Sequence, residues 1–472
     1  MKIIGREKEI ESLRKLVGSD KSEFLAVYGR RRVGKTFLIR QTLSKMFAFS
    51  TTGILEGTPN EQRESFGAAL LEYGADNAKF STWIEAFGML RNLLEKKGKD
   101  KPLVVFIDEL SCFDTQRSGF VRALGYFWNN WAAWEGNIKL IVCGSATSWM
   151  TKNVLNGKGG LHNRVTDTMN LKQFTLRETE TYLQEAGFKW TRQSIAQCYM
   201  ILGGIPYYLG LLNKNLSLPQ NIDMLFFASD SKLKDEYKRL YCSLFKHPEY
   251  YMKVIELLSS NKSGLTRNEI SNKLVGSNGQ LSMVLNDLQQ CGFIGYFNVR
   301  GRNGGVKSSD GLYRLSDFYT IFYFDFCKSK TSDEQFWSHQ ISTPKINTWF
   351  GFAYERLCMA HVPQIKSALG ISGIHTEFYS WRSKNSTPSA QIDLLIERSD
   401  GMINLCEIKY SSGDYLLDSK EFEKILNRQN TFVNETNCKQ GVFLTLVTVS
   451  GAKNNEYSQQ INNFVTINDL FR

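Results

Sequence analysis

What this chain lacks narrows its class first. No apolar run approaches the ~18 residues that a membrane-spanning helix needs, and the opening MKIIGREKEIESL has no apolar stretch of the secretory kind. A cytoplasmic protein with no membrane partner is therefore expected. The nine cysteines stand singly, with no Cys-x-x-Cys and no neighbouring histidine pair. That pattern argues for reduced thiols and against disulfides or a zinc site. Internal repeats and low-complexity segments are also missing.

What is present fits a multidomain soluble protein. The 472 residues exceed what one hydrophobic core usually supports, so two to four domains are expected, and 42% hydrophobic with 22% charged residues is an ordinary globular composition. The net charge of +11 invites a polyanionic partner such as DNA. Its distribution is uneven: residues 1–245 hold 34 Lys and Arg against 25 Asp and Glu, and residues 246–472 hold 24 against 22. Any electrostatic grip on nucleic acid should come mostly from the first half.

The first 170 residues alternate apolar runs, FLAVYG, PLVVFIDEL and KLIVCGSA, with amphipathic stretches. Runs without alternation fit strands buried on both faces, hence a parallel α/β sheet. Residues 171–245 turn helical. Three short helical patterns then precede two strand-like pieces, GYFNVRG and GLYRLSD, which is the winged-helix order, over residues 246–318. An aromatic stretch, FYTIFYFDFC, and a polar connection form a linker over 319–345, and a last α/β region occupies 346–472.

GRRRVGKT, residues 29–36, fits Gly-x-x-x-x-Gly-Lys-Ser/Thr directly after a strand and before a helical run. Gly29 and Gly34 let the backbone curl so that the N–H groups of the loop, from Arg30, Arg31, Arg32 and Val33 onward, face phosphate oxygens at a helix N-terminus. Lys35 would neutralise the β and γ phosphates of ATP and Thr36 would ligate Mg²⁺. Asp108, ending the strand VVFI, suits the metal, and Glu109 suits the attacking water. Ser145, ending LIVCGSA, could sense the γ phosphate. Arg164 reads either as a group stabilising transition-state charge, from its own or a neighbouring subunit, or as a surface salt-bridge residue. The three loop arginines read as contacts to phosphates or to an acidic neighbour, or as exposed loop residues.

The opening IIGREKEIESL, the loop YGRRRVGKT, the strands VVFIDEL and IVCGSA and the later GGIPYYL together resemble the prokaryotic archaeal-type ATPases, P-loop proteins of the AAA/STAND broad class. The resemblance covers nearly the whole chain. It implies that Gly5 and Arg6 lie near the adenine, that GGIPYYL belongs to a helical lid, and that a restriction-endonuclease-like domain ends the chain. The family's Gly-Ser-Ser after the third strand stands here as Gly144, Ser145, Ala146, so only Ser145 carries over.

Restriction-endonuclease-like sites use an acid on one strand and an acid-x-Lys triplet on the next. In QIDLLIERSDGMINLCEIKY, Glu407 and Lys409 are two apart and share a strand face, while Asp393 lies on the neighbouring strand across a turn. Two carboxylates could then share one Mg²⁺, with Lys409 holding the attacking water or the charge at phosphorus. Glu355, in the apolar helix TWFGFAYERLCMA, is either a further carboxylate of that site or a surface residue paired with Arg356. The four match the family pattern residue by residue, and Gln429 on the following helix is a weaker candidate. The alternative for Asp393, Glu407 and Lys409 is a structural version of the same fold.

Within the winged helix, Asn278–Gln290 would enter a major groove, with Arg300, Arg302 and Lys307 on backbone phosphates. It has no Arg or Lys and carries Asp287, which argues against strong base readout. Two functions therefore stand: a P-loop ATPase coupled to Mg²⁺-dependent DNA cleavage, or a nucleotide-switched regulator or scaffold whose C-terminal fold binds DNA or protein. Either suits a nucleotide-dependent homo-oligomer. A small-molecule kinase fits less well, because Glu109 favours water as the acceptor.

Overall fold

The computed structural model describes residues 3–156, 161, 163–245, 247–300, 306–329, 331–383 and 390–472, with side chains omitted at 299–300 and 306–310. Arg302, and the side chains of Arg300 and Lys307, lie outside what is described. Contacts divide the chain into two compact units, Met1–Gln173 with Ser243–Lys246, and Phe174–Cys242 with His247–Arg472. No helix among the described residues is long and apolar enough to cross a membrane.

The first unit is built on a five-stranded sheet of β1 (Glu23–Tyr28), β2 (Phe47–Thr52), β3 (Leu103–Asp108), β4 (Ile138–Gly144) and β5 (Asp167–Asn170), in the order β2-β3-β4-β1-β5. Every pairing is parallel. All residues of β3 and β4 are buried, as uninterrupted apolar strands covered on both faces should be. One face packs a ring cluster in which Trp83 stands edge-on to Phe66 at 5.5 Å and to Phe120 at 4.8 Å, contacts that add about 0.5–1.5 kcal/mol each to their burial.

In the second unit, the helices Pro248–Ser259, Arg267–Lys273 and Asn278–Gln290 precede an antiparallel sheet of β6 (Leu265–Thr266), β7 (Ile294–Arg300) and β8 (Val306–Leu315), ordered β6-β8-β7. Asp287 does not face outward as the sequence suggested. It is buried and accepts a 2.7 Å hydrogen bond from Tyr251 Oη. The exposed face of its helix carries Gln280, Ser282, Met283, Asn286 and Gln289, with no charge of either sign.

Residues 319–345, expected as a linker, are largely helical and packed. Phe318–Phe322 and a π-helical turn at Tyr323–Cys327 bury Tyr319, Phe322 and Phe326, and Trp337 is fully buried against Phe322 and Trp349. So many aromatics cannot remain in a solvated connection; their burial outweighs the cost of ordering the backbone. The helical stretch that includes GGIPYYL groups with this unit: Tyr199 packs on Phe318 at 5.4 Å, and Leu176 N–H donates to His361 Nε2 at 3.2 Å. Because His361 Nδ1 donates to Leu357 O, its tautomer is fixed, and burial pushes its pKa down to about 4.

The chain ends in a mixed sheet of β9 (Thr376–Arg382), β10 (Gln391–Arg398), β11 (Met402–Lys409), β12 (Gly441–Thr448) and β13 (Asn463–Thr466), ordered β13-β12-β11-β10-β9. The hairpin β9-β10-β11 is antiparallel and the rest parallel. The helix Pro344–Ala360 precedes this sheet, and Ser419–Thr436 packs Phe422, Ile425 and Phe432 onto Ile403, Leu405 and Leu446.

Candidate functional sites

The first site gathers at the C-terminal ends of β1, β3 and β4. The loop after β1 folds as it does because two positions must be glycine. A Cβ on Gly29 would stand 2.3 Å from Leu171 O, and Gly34 has φ +91°, in the left-handed region. Lys35 opens the helix Lys35–Leu43 and is buried, its ammonium donating to Gly29 O and Arg30 O at 2.9 Å and to Ser145 Oγ at 3.1 Å. Thr36 Oγ1 donates to Asp108 Oδ2 at 2.7 Å. Because β4 lies between β1 and β3, this bond crosses the width of one strand.

Glu109 takes φ 45°, ψ 50°, a left-handed conformation that costs a non-glycine residue about 1–2 kcal/mol. Its surroundings hold it there. Ser145 Oγ donates to Glu109 Oε1 at 2.8 Å, Ser145 N–H reaches Oε2 at 3.3 Å, and Glu109 N–H donates to Asp108 Oδ1 at 3.0 Å. A Cβ on Gly53 would meet Glu109 O at 2.7 Å, so that glycine also makes room for the strained turn. Sequence reasoning did not single out Gly53, whose role depends on β2 lying beside β3. Arg30 is buried and Arg31 and Arg32 are half-buried, so none of the three is the exposed loop arginine that the alternative reading supposed. Arg164 is exposed and makes no hydrogen bond to this group among the described residues. Arg6, itself in a left-handed conformation, is buried and donates to Lys172 O at 2.6 Å.

With this geometry in place, comparison with known proteins is informative. Residues 3–212 match the family described as an ATPase domain predominantly from Archaea. Over those residues the chain is similar to an archaeal-type ATPase domain. An uncharacterised protein of Methanocaldococcus jannaschii is 26% identical over 365 residues, 75% of this chain and 76% of that one. Among solved structures, a Walker-type ATPase of Pyrococcus abyssi is 16% identical, with 69% of this chain and 96% of that one covered at a TM-score of 0.49. A STAND protein of Pyrococcus horikoshii with a tetratricopeptide repeat sensor is 16% identical, with 79% and 52% covered at a TM-score of 0.33. The family match ends at residue 212, well before the second acidic site.

That second site lies at the open end of the β10-β11 hairpin. The register that pairs Leu395 with Leu405 and Leu394 with Cys406 brings Asp393 opposite Glu407. A bulge on β10 against β9 falls between Ile392 and Leu395, where Asp393 and Leu394 together oppose one residue, and such bulges re-aim side chains. Glu407 is buried. Its Oε1 is held by Lys409 at 3.0 Å and by Arg428, and its Oε2 has no hydrogen-bond partner among the described residues. Lys409 also reaches Glu421 at 3.3 Å.

Burial and the neighbouring Asp393 push the Glu355 carboxyl up to about 8, and burial and Glu407 push Asp393 up to about 7. Burial opposes the charge on Lys409, but Glu407 more than offsets it and holds that ammonium above its ordinary value. The hairpin and its preceding helix thus bring Glu355, Asp393, Glu407 and Lys409 into one electrostatic group. Arg428 was missed in favour of Gln429. The buried positions 422, 425 and 432 set the inward stripe of the Ser419–Thr436 helix; 429 falls nearer its centre and 428 on its flank, so only the ion pair with Glu407 reveals the arginine.

Proposed function

We propose that the protein couples ATP turnover in its first unit to Mg²⁺-dependent cleavage of DNA at the hairpin of its second. In the ATP site, the loop N–H groups and the N-terminus of the Lys35–Leu43 helix cradle phosphates, and Lys35 exchanges its carbonyl partners for phosphate oxygens. Thr36 and Asp108 would hold Mg²⁺. Glu109, turned toward Ser145 by its strained backbone, orients the attacking water and takes its proton. Ser145 links Lys35 to Glu109, so the serine that senses the terminal phosphate also positions the base.

The observation that carries the second half is the buried Glu407 Oε2, which has no hydrogen-bond partner among the described residues, with Asp393 opposite it. A buried carboxylate oxygen without a donor is costly, and a cation satisfies it. Asp393 and Glu407 would hold Mg²⁺, which supplies Lewis acidity toward a phosphodiester and its attacking water. Among the described residues no three acidic, His or Cys side chains stand close enough to share an ion, so Glu355 acts on the site through its charge, and Lys409 stabilises the charge that develops on the phosphoryl oxygens. Arg428 fixes Glu407 from behind.

The competing reading is a nucleotide-switched regulator or scaffold that assembles as a homo-oligomer when nucleotide is bound. It is favoured by the uncharged exposed face of the Asn278–Gln290 helix and by the two carboxylates that already occupy Lys409. The test is cleavage of supercoiled and single-stranded DNA by the full chain with Mg²⁺, with and without ATP, beside Asp393→Ala. Cutting that the variant loses while its ATP turnover persists is expected. Cutting that survives in the variant would remove Asp393 from the chemistry, and no cutting by either protein would favour the regulator.

A further inference from the structure

Beside the acidic hairpin, inside the second unit, lies a cavity of about 400 Å³. That is within the range of pockets that enclose one small ligand. Glu355 and Asp393 line one part of it, so whatever enters lies against the proposed cleavage site. Elsewhere, among small polar and aliphatic residues, its wall sets cations beside rings. Arg314 lies over the Phe297 ring at 5.2 Å from its centroid, and Lys262 over Phe352 at 5.5 Å. Arg356, on the helix that carries Glu355, adds a second guanidinium.

This wall is built rather than incidental. Arg314 Nε donates to Ser263 O at 2.9 Å, which fixes the guanidinium. A Cβ on Gly264, at φ +87°, would strike Arg314 Cγ at 2.6 Å, and one on Gly295 would strike the Phe297 ring at 2.8 Å. Two glycines therefore make room for one arginine-ring stack. Burial disfavours the charge of both guanidiniums and Arg356 adds to this at Arg314, while Glu355, Asp393 and Asp325 offset part of it, and Lys262 is paired with Asp325 at 3.3 Å, so a phosphate entering here would compete with carboxylates already present.

We propose that this cavity receives a single unstacked nucleotide of a DNA strand, its base against the Phe297–Arg314 and Phe352 walls and its phosphate toward Arg356 and Lys262. The proposal rests on the cleavage reading above and sharpens its substrate to single-stranded or frayed DNA. A base held within a duplex stack cannot turn into a side pocket of this size, whereas rings and guanidinium planes accept any splayed base. The uncharged face of the Asn278–Gln290 helix agrees, because it offers no cation for a major groove.

The experiment is fluorescence anisotropy with the full chain, in EDTA so that nothing is cut, using a short labelled single strand and its blunt duplex. Phe352 is 41% exposed, so Phe352→Ala should fold, and its melting curve checks that. The expected result is single-strand binding about tenfold tighter than duplex binding, and roughly a tenfold loss of the single-strand affinity alone in Phe352→Ala, with Phe352→Tyr close to wild type. Equal affinity for the two DNA forms, or a Phe352→Ala protein that binds as wild type does, would overturn the pocket assignment even if Asp393-dependent cutting is found. Conversely, Phe352-dependent single-strand binding without any Mg²⁺-dependent cutting would support the pocket and remove the cleavage reading.

Discussion

Two acidic sites, one in each unit, both use carboxylates at strand ends, yet they meet the cost of burial in opposite ways. In the proposed ATP site each acid has dedicated donors: Asp108 is met by Thr36 and the Glu109 N–H, and Glu109 by Ser145. In the hairpin, Glu355, Asp393 and Glu407 crowd one another, two of them hold protons beyond the ordinary carboxylate range, and one oxygen of Glu407 has no donor among the described residues. A network complete without its ligand can exchange partners when the ligand arrives. A crowded cluster is instead stabilised by the arrival of a cation.

The largest expected effect separates the two chemically. Glu109→Gln should lower ATP turnover by about 10²–10⁴-fold with nucleotide binding retained, since the proposed general base is lost and the cradle is not. Steady-state hydrolysis beside nucleotide titration checks this, and unimpaired turnover would remove Glu109 from the chemistry.

Next comes stability at the hairpin. The folded Asp393 pKa of about 7 lies above its ordinary 3.8, so its contribution is best at acid pH and declines as pH rises between those values. Asp393→Asn should therefore match wild type near pH 4 and gain roughly 2 kcal/mol by pH 8, less than the full shift implies because Glu355 titrates with it. Denaturant midpoints across that range measure it. Mg²⁺ should stabilise the wild type at pH 8 and leave the variant unmoved. A variant less stable than wild type at pH 8 would contradict the account of crowding.

A smaller change sharpens the same contrast. Arg428→Met removes one of the two cations on Glu407 Oε1 and should cost about 1–3 kcal/mol at neutral pH, partly recovered by Mg²⁺. Loss of stability that Mg²⁺ leaves untouched would mean that the arginine serves packing alone. The smallest effect lies away from both sites. His361 is buried neutral with a folded pKa of about 4, below its usual 6.5, so its contribution is intact above pH 6.5 and is lost as pH falls toward 4. His361→Gln should flatten that acid limb by about 1 kcal/mol, read from the same pH series.

Much of this was legible along the chain. Apolar runs without alternation located β1, β3 and β4, and the loop between Gly29 and Thr36 followed from its spacing. The helix-helix-helix-hairpin order was readable from periodicity at 250–315. Contacts set by helix phase were harder to read. Asp287, read as a charge against base readout, is buried on Tyr251, and Arg428 lies on the flank of the stripe of Phe422, Ile425 and Phe432, where phase favours Gln429. The aromatic segment after residue 318 looked like a connection because local pattern says nothing about which distant rings will cover it.

By itself, then, the sequence determined the parts whose physics is local: the phosphate loop that only glycine can turn, the uninterrupted strands of a doubly covered sheet, and the two-residue spacing that puts Glu407 and Lys409 on one face. Tertiary structure alone decided how charges separated by tens of residues are shared. Pairing of β10 with β11 brought Asp393 to Glu407, the Pro344–Ala360 helix brought Glu355, and the hairpin of β7 and β8 carried Arg314 to the same cavity. Electrostatic energy depends on distance and burial, and neither is a property of position along a chain.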